Sequence, residues 1–291
     1  MLFLRRFSTF PRNLGKKSIP SLANVPLWSK NTVADPPSSS SESSGGLVKS
    51  ILYGSTETKE ESKKFEQSYS TLLARGKYVH EISKHRVKAD KIDEYVGLIS
   101  EMYPRIAQEE GNELHLVGSW RTEIGEPDTF VHIWEYKGYK GYHQTLNRVY
   151  SDPSFKHFQS SLLDCISSRT NDIMQEFAFW QTSPPRTLGG IFEMRSYQLK
   201  PGNLLEWETQ WRHGLDCRRQ VMEPVGAWFT QLGRLNTVHH IWQFSDLEHR
   251  LRSREKCWEL DGWNETVKST VGLIDKMDSH ILVALDFSPL K

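Results

Sequence analysis

The chain has 291 residues, enough for about two domains. Its 37 basic and 36 acidic residues nearly cancel, which excludes the cationic surface that nucleic-acid binding requires, and no apolar run reaches the roughly eighteen residues of a membrane span. Cys165, Cys217 and Cys257 are far apart, odd in number and without a CxxC, which argues against a disulfide framework and reads as three small buried hydrophobes in a reducing compartment.

Residues 1–34 contain Arg5, Arg6, Arg12, Lys16, Lys17 and Lys30 and no acid, interleaved with Leu2, Phe3, Leu4, Phe7 and Phe10. That is the composition of a mitochondrial transit peptide, a cationic amphipathic helix drawn inward by its charge. Residues 35–77 open with the linker composition DPPSSSSESSGG. They continue through an apolar patch, Val48, Ile51 and Leu52, into a charge-alternating stretch that reads as a helix over 58–74.

The body is a duplication. Residues 117–136 (VGSWRTEIGEPDTFVHIWEY) and 225–244 (VGAWFTQLGRLNTVHHIWQF) align without a gap, and nine of the twenty positions are identical. Chance gives about one. The boundaries fall at 78–182 and 186–291, joined by QTSPPRTLGG. Each copy opens with a strand carrying one acid, Glu81 or Glu193, followed by a turn at Lys88-Ala89-Asp90 or Lys200-Pro201-Gly202. An amphipathic helix comes next, with Ile92, Tyr95, Val96 and Ile99 on one face in the first copy and Leu204, Leu205, Trp207 and Trp211 in the second. The repeated stretch supplies a hairpin, 114–122 with 129–136 and 225–232 with 236–244. A helix from the Ser151-Asp152-Pro153 cap, or over 264–276, then leads to a closing strand at 173–180 or 280–287. The predicted class is therefore α+β: two ferredoxin-like β-α-β-β-α-β repeats, antiparallel sheets with helices on the outer face, able to join into one barrel.

The doubled pattern E-I/M-x … W-x-T-x-x-G … H-I-W-E/Q-Y/F, the YQLKPG segment at Tyr197–Gly202, VHHIWQF at Val238–Phe244 and the ending FSPL at Phe287–Leu290 resemble the NipSnap family over residues 46–291. The resemblance implies a dimeric α/β-barrel fold and residence in the mitochondrion, in the matrix or at the inner membrane. It also implies a non-catalytic adaptor role in mitochondrial quality control (mitophagy), with other proteins, autophagy adaptors among them, as partners. Homo-oligomers and membrane-surface association are compatible with it. It brings no catalytic residue set, no metal and no required cofactor. Tyr69-Ser70-Thr71-Leu72 and Phe244-Ser245-Asp246-Leu247 match the short aromatic-x-x-aliphatic pattern of autophagy-receptor ligands.

Strand alternation puts His132, Trp134 and Tyr136 on one face, and His240, Trp242 and Phe244 on the equivalent face. Trp120 and Trp228 line up on the neighbouring strands. Two readings stay open. In one, Trp120, His132, Trp134, Trp228, His240 and Trp242 converge on a pocket for a flat ligand, haem-like or quinone-like, as in related single-copy barrels that bind haem or act as cofactor-less monooxygenases. In the other they pack a duplicated core, each histidine in a buried hydrogen bond. Glu81 and Glu193 are candidate buried carboxylates, paired with nearby Arg86 and Arg195 or raised in pKa for acid/base work. HExxH, P-loop, GxGxxG and GxSxG signatures are absent from the sequence.

Overall fold

The computed structural model describes residues 78–291; the expected transit peptide (1–34), the linker and helix of 35–77 and the Tyr69–Leu72 tetrapeptide lie outside the described residues. The first repeat runs β1 (Val79–Val87), α1 (Ile92–Gln108), β2 (Leu114–Ile124), β3 (Thr129–Tyr136), α2 (Gly138–Ser151), α3 (Pro153–Cys165) and β4 (Ile166–Glu176). The second runs β5 (Ile191–Leu199), α4 (Leu204–Arg219), β6 (Glu223–Leu232), β7 (Thr237–Phe244), α5 (Leu247–Trp258), α6 (Trp263–Val271) and β8 (Ile274–Ala284).

Each repeat forms a four-stranded antiparallel sheet with two edges. The edges meet, β2 on β8 and β4 on β6, and close a barrel of order β1-β3-β2-β8-β5-β7-β6-β4. The strand period of two then sorts every side chain to one of two sides. Ile82, Val131, Ile133, Phe192, Met194, Ile241 and Leu282 form an apolar cluster within the barrel, with Trp120 and Trp228 among them. The alternate residues face outward, where the helices of each repeat cover them as two further clusters. Leu290, from the FSPL ending, is fully buried in the barrel cluster. Its segment is anchored by Ser119 N donating to Ser288 Oγ at 3.0 Å and by Arg186 N donating to Pro289 O at 3.0 Å.

Several elements differ from the sequence reading. Each repeat has two helices between its third and fourth strands, so the order is β-α-β-β-α-α-β. The extra ones, α2 and α5, are polar helices whose buried positions are mostly small or polar residues, Gly141 and Thr145 in α2, Ser253 and Cys257 in α5, which do not read as an apolar face in sequence. The closing strands begin at Ile166 and Ile274, several residues earlier than expected. Their leading halves, SSRTND and DKMDS, border a polar-lined cavity at one end of the barrel, and so lack apolar alternation. The Asp152 cap is as expected, its carboxylate accepting from Ser154 N at 2.8 Å with Pro153 in the first turn.

The barrel explains the identical positions. A Cβ on Gly118 would come within 2.2 Å of the Trp120 ring, and one on Gly226 within 2.4 Å of the Trp228 ring. Each indole folds back over the glycine two residues before it, beside a register shift at Leu116/Gly118 or Pro224/Gly226. Gly125 (φ 125°) and Gly233 (φ 103°) start hairpin turns that finish on left-handed Asp128 and Asn236. Overpacking at Gly226 is costly because Trp228 has no room to move. Gly226→Ala is expected to destabilise the chain by about 1–3 kcal/mol in chemical denaturation, against less than about 0.5 kcal/mol for a surface substitution.

Candidate functional site

The barrel wall does not bring the six aromatic and histidine candidates together. Trp120 and Trp228 lie inside the barrel, whereas His132, Trp134, His240 and Trp242 lie on the outer face beneath the helices. Bonding, not shared space, explains the two histidines. His132 Nε2 is 2.8 Å from Tyr95 Oη and its Nδ1 is 2.9 Å from Ser119 Oγ. His240 Nδ1 accepts from Trp242 Nε1 at 2.8 Å. Both His132 nitrogens are engaged, so His132 is not free to act as an axial ligand to haem, whereas His240 Nε2 has no hydrogen-bond partner.

What the folding does create is a pair of equivalent cavities, one in each repeat, between the sheet and its helices. Their volumes are about 150 and 140 Å³. A void of this size holds a single six-membered ring. Aligned through the turns at Lys88 and Lys200 and through the repeated stretch, the two linings fall on corresponding positions: His85 with Tyr197, Tyr150 with Trp258, Phe155 with Trp263, Arg169 with Met277. The scaffold is duplicated and the chemistry is not.

In the first cavity, Trp134, Tyr103 and Phe158 supply an aromatic wall, and Glu81, His85 and Arg169 supply the ionisable groups. Glu81 is half-buried. It accepts from Tyr136 Oη at 3.0 Å and Asn171 Nδ2 at 2.9 Å, not from Arg86, whose side chain belongs to the opposite face of β1. His85 begins a buried chain: Nδ1 lies 2.9 Å from Tyr95 Oη, which reaches His132, which reaches Ser119. Sequence reasoning missed His85, Tyr95 and Ser119 because they come from a strand, a helix and a second strand, and each looks ordinary in its own element. The second repeat has lost the chain. The positions of His85, Tyr95 and Ser119 are Tyr197, Trp207 and Ala227 there.

Glu193, the other candidate carboxylate, is fully buried on the second repeat's outer face. Oε1 accepts from Arg195 at 2.8 Å, Arg250 at 2.7 Å and Ser279 at 2.8 Å. Burial pushes its pKa up, but the hydrogen bonds and charges of Arg250 and Arg195 outweigh this and hold it far below the usual carboxylate range. The Arg195 pairing expected from sequence is present; Arg250 comes from α5, which sequence reading had not separated out.

Two other polar groups lie inside the barrel. At one end a cavity of about 320 Å³ is lined by polar residues of both repeats, including Lys84, Asp172, His239 and His280. Elsewhere, donor atoms of His80, Glu135 and Glu176 lie within 4.8 Å of one another, the one group with metal-donor chemistry among the described residues. Hydrogen bonds already link it: His80 Nε2 is 3.1 Å from Glu135 Oε2, and Thr182 donates to Glu176 Oε2 through both N and Oγ1 at 3.0 Å. Phe244 of the Phe244–Leu247 tetrapeptide is 2% exposed, so its ring is committed to the core.

Against known proteins, a profile of the NIPSNAP family matches residues 80–181 and 192–289. The chain belongs to the NipSnap family. Protein NipSnap homolog 2 of Homo sapiens is 36% identical over 227 residues, covering 77% of this chain and 79% of that protein. Among solved structures of the same fold, a Lactobacillus acidophilus protein proposed to be a monooxygenase covers 71% of this chain and 93% of its own, with a TM-score of 0.53 at 13% identity. An anthrone oxidase-like protein covers 73% and 93%, with a TM-score of 0.52 at 12% identity. The two NipSnap matches are the two barrel repeats, and no helix among the described residues is long and apolar enough to cross a membrane.

His85 of the first cavity and His132 behind it, both buried and neutral, make stability pH-dependent. Burial, reinforced by the charge of Arg169, brings His85 down to about 4, and burial with His85 keeps His132 well below its ordinary value. Unfolding frees both to bind protons below pH ~6.5. Their contribution is complete above that pH and is lost as the pH falls from ~6.5 toward ~4. Urea melts are expected to show a lower midpoint at pH 5 than at pH 7, with a smaller difference in His85→Gln.

Proposed function

We propose that the chain binds a small single-ring aromatic or quinone-like molecule in the first-repeat cavity and accepts a proton from it on His85. The observation that carries this reading is the His85–Tyr95–His132–Ser119 chain ending at that cavity, with links of 2.9, 2.8 and 2.9 Å. The inner members, Tyr95 and His132, are bonded on both sides, so the links are compatible with a tautomer set pointing toward Ser119 and with one pointing toward the cavity. Proton uptake on His85 leaves one positive charge in the chain, as an imidazolium at His85 or His132, and the oxyanion formed on the ring beside it balances that charge. Deprotonating a hydroxyaromatic ring enriches it in electrons, which is what direct reaction with O₂ requires in a cofactor-less monooxygenase. The fold shared with the anthrone oxidase-like and proposed monooxygenase structures supports the same direction as a fold-level analogy.

Hydroquinone is the probe. Calorimetric titration of the full chain is expected to show binding that weakens ~10-fold or more in His85→Ala, the loss of one buried hydrogen bond. Oxygen uptake above the autoxidation rate is expected to fall in Tyr95→Phe, which breaks the relay but keeps the ring. Undiminished hydroquinone binding in His85→Ala contradicts the reading.

A second reading is the adaptor role at the mitochondrion. It is supported by family membership and by Leu247, Leu251 and Trp258, exposed by 49, 49 and 56% along one face of α5. Purified autophagy adaptors are expected to bind the full chain and to lose binding to Leu247→Lys/Leu251→Lys. Equal binding removes α5 from the role. N-terminal sequencing of the native mitochondrial protein checks removal of the transit peptide.

A further inference from the structure

The second-repeat cavity has an excess of positive charge that the first lacks. Arg195, Arg218 and Arg254 line it and Arg250 stands behind it, yet among the described residues these four guanidiniums share one carboxylate, Glu193. Arg195 and Arg250 bond that carboxylate directly; Arg254 Nη1 is 3.9 Å from it and has no hydrogen-bond partner. Arg218 is 5% exposed and forms no ion pair among the described residues. Its Nη1 donates weakly to Met222 Sδ at 3.5 Å, and its Nε has no hydrogen-bond partner. Instead the guanidinium rests on aromatic faces, 4.4 Å from the Trp263 centroid and 5.7 Å from those of Trp211 and Trp242.

Burial pushes Arg218 down to about 10, so it still carries its charge at neutral pH. A guanidinium removed from water needs an acceptor for each of its N–H groups, and ring faces meet that need only in part. The fold does not require these arginines. The first repeat places Ser83, Ile106, Tyr142 and Leu146 at the positions of Arg195, Arg218, Arg250 and Arg254. The cationic lining is thus specific to one of the two cavities, and Arg218 and Arg254, each with an N–H group that lacks an acceptor, are both in it.

The rest of the lining defines the ligand's body. Trp207 and Trp211 are stacked with ring centroids 5.4 Å apart, and Trp263 meets Trp211 edge-on at 6.1 Å. The volume of about 140 Å³ admits one ring. Guanidinium forks match planar carboxylates in a two-point bond. We infer that the second-repeat cavity is a binding site for a small aromatic carboxylate, its ring among Trp207, Trp211 and Trp263 and its carboxylate on Arg218 and Arg254.

The test uses the full chain, with benzoate as probe, benzamide as the neutral isostere and sulfate as an anion without a ring, each followed by tryptophan fluorescence and calorimetry. Benzoate is expected to bind, with benzamide and sulfate ~10-fold weaker or more, the loss of one charge-assisted hydrogen bond or of the ring contacts. Arg218→Met is expected to weaken benzoate by a similar factor. Arg254→Met does the same at a side chain 32% exposed, where removal leaves the core intact, and an unchanged circular dichroism melt checks this. Benzamide binding as tightly as benzoate, or benzoate affinity unchanged in Arg254→Met with the fold preserved, overturns the charge pairing. Sulfate binding as tightly as benzoate overturns the aromatic specificity.

Discussion

The backbone hydrogen bonds at two seams are the constraint on which everything else depends. Each repeat alone is an antiparallel sheet with bare edges at both sides, and bare edges seek partners. Here β2 finds β8, with Trp120 opposite Ala284, and β4 finds β6, with Glu176 opposite Trp228. Closure turns one face of each sheet into a shared interior and leaves the other to each repeat's own helices. A fused chain holds the second repeat at high effective concentration next to the first, so closure costs only the ordering of a short connection. The C-terminal segment reinforces the join, since Ser288 and Leu290 pack on the first repeat's Ser119 and the barrel interior.

Within that frame, duplication has separated scaffold from chemistry. Positions that shape the barrel remain identical because each answers a steric demand: Gly118 and Gly226 lie under an indole, and Gly125 and Gly233 turn a hairpin. Positions facing the two outer cavities are free of that demand and have diverged. One cavity has a neutral hydrogen-bonded relay; the other has arginines over tryptophan faces. The retained pair His132 and His240 shows the split well. The same ring sits in the same slot, but one bonds Tyr95 and Ser119, and the other bonds Trp242 among indoles.

Much of the fold was legible in the sequence, because both the repeat and the strand and helix periods reflect burial. The cap at Asp152 announced its role locally, whereas Trp120 and Trp228, grouped in sequence with the histidines, and Gly118 and Gly226, packed under those indoles, show theirs only in the closed barrel. Less was visible where burial is one-sided or absent. The starts of β4 and β8 lack alternation since they are exposed and polar, and α2 and α5 bury mostly small or polar residues that do not mark a face in sequence. The cavities were harder still. Period-two reasoning grouped His132 with Trp134 correctly, but which face becomes interior depends on closure, a long-range event. His85, Tyr95 and Ser119 meet only through tertiary packing, as do Glu193 and Arg250, 57 residues apart.

The most direct test of the account is to express residues 78–182 and 183–291 as separate chains and follow each, and their mixture, by circular dichroism and sedimentation equilibrium. Seam closure predicts that neither half melts cooperatively as a monomer, and that the mixture forms a one-to-one complex with the cooperative transition of the joined chain. Two halves that each fold cooperatively as monomers, and stay apart when mixed, would contradict a barrel built from both.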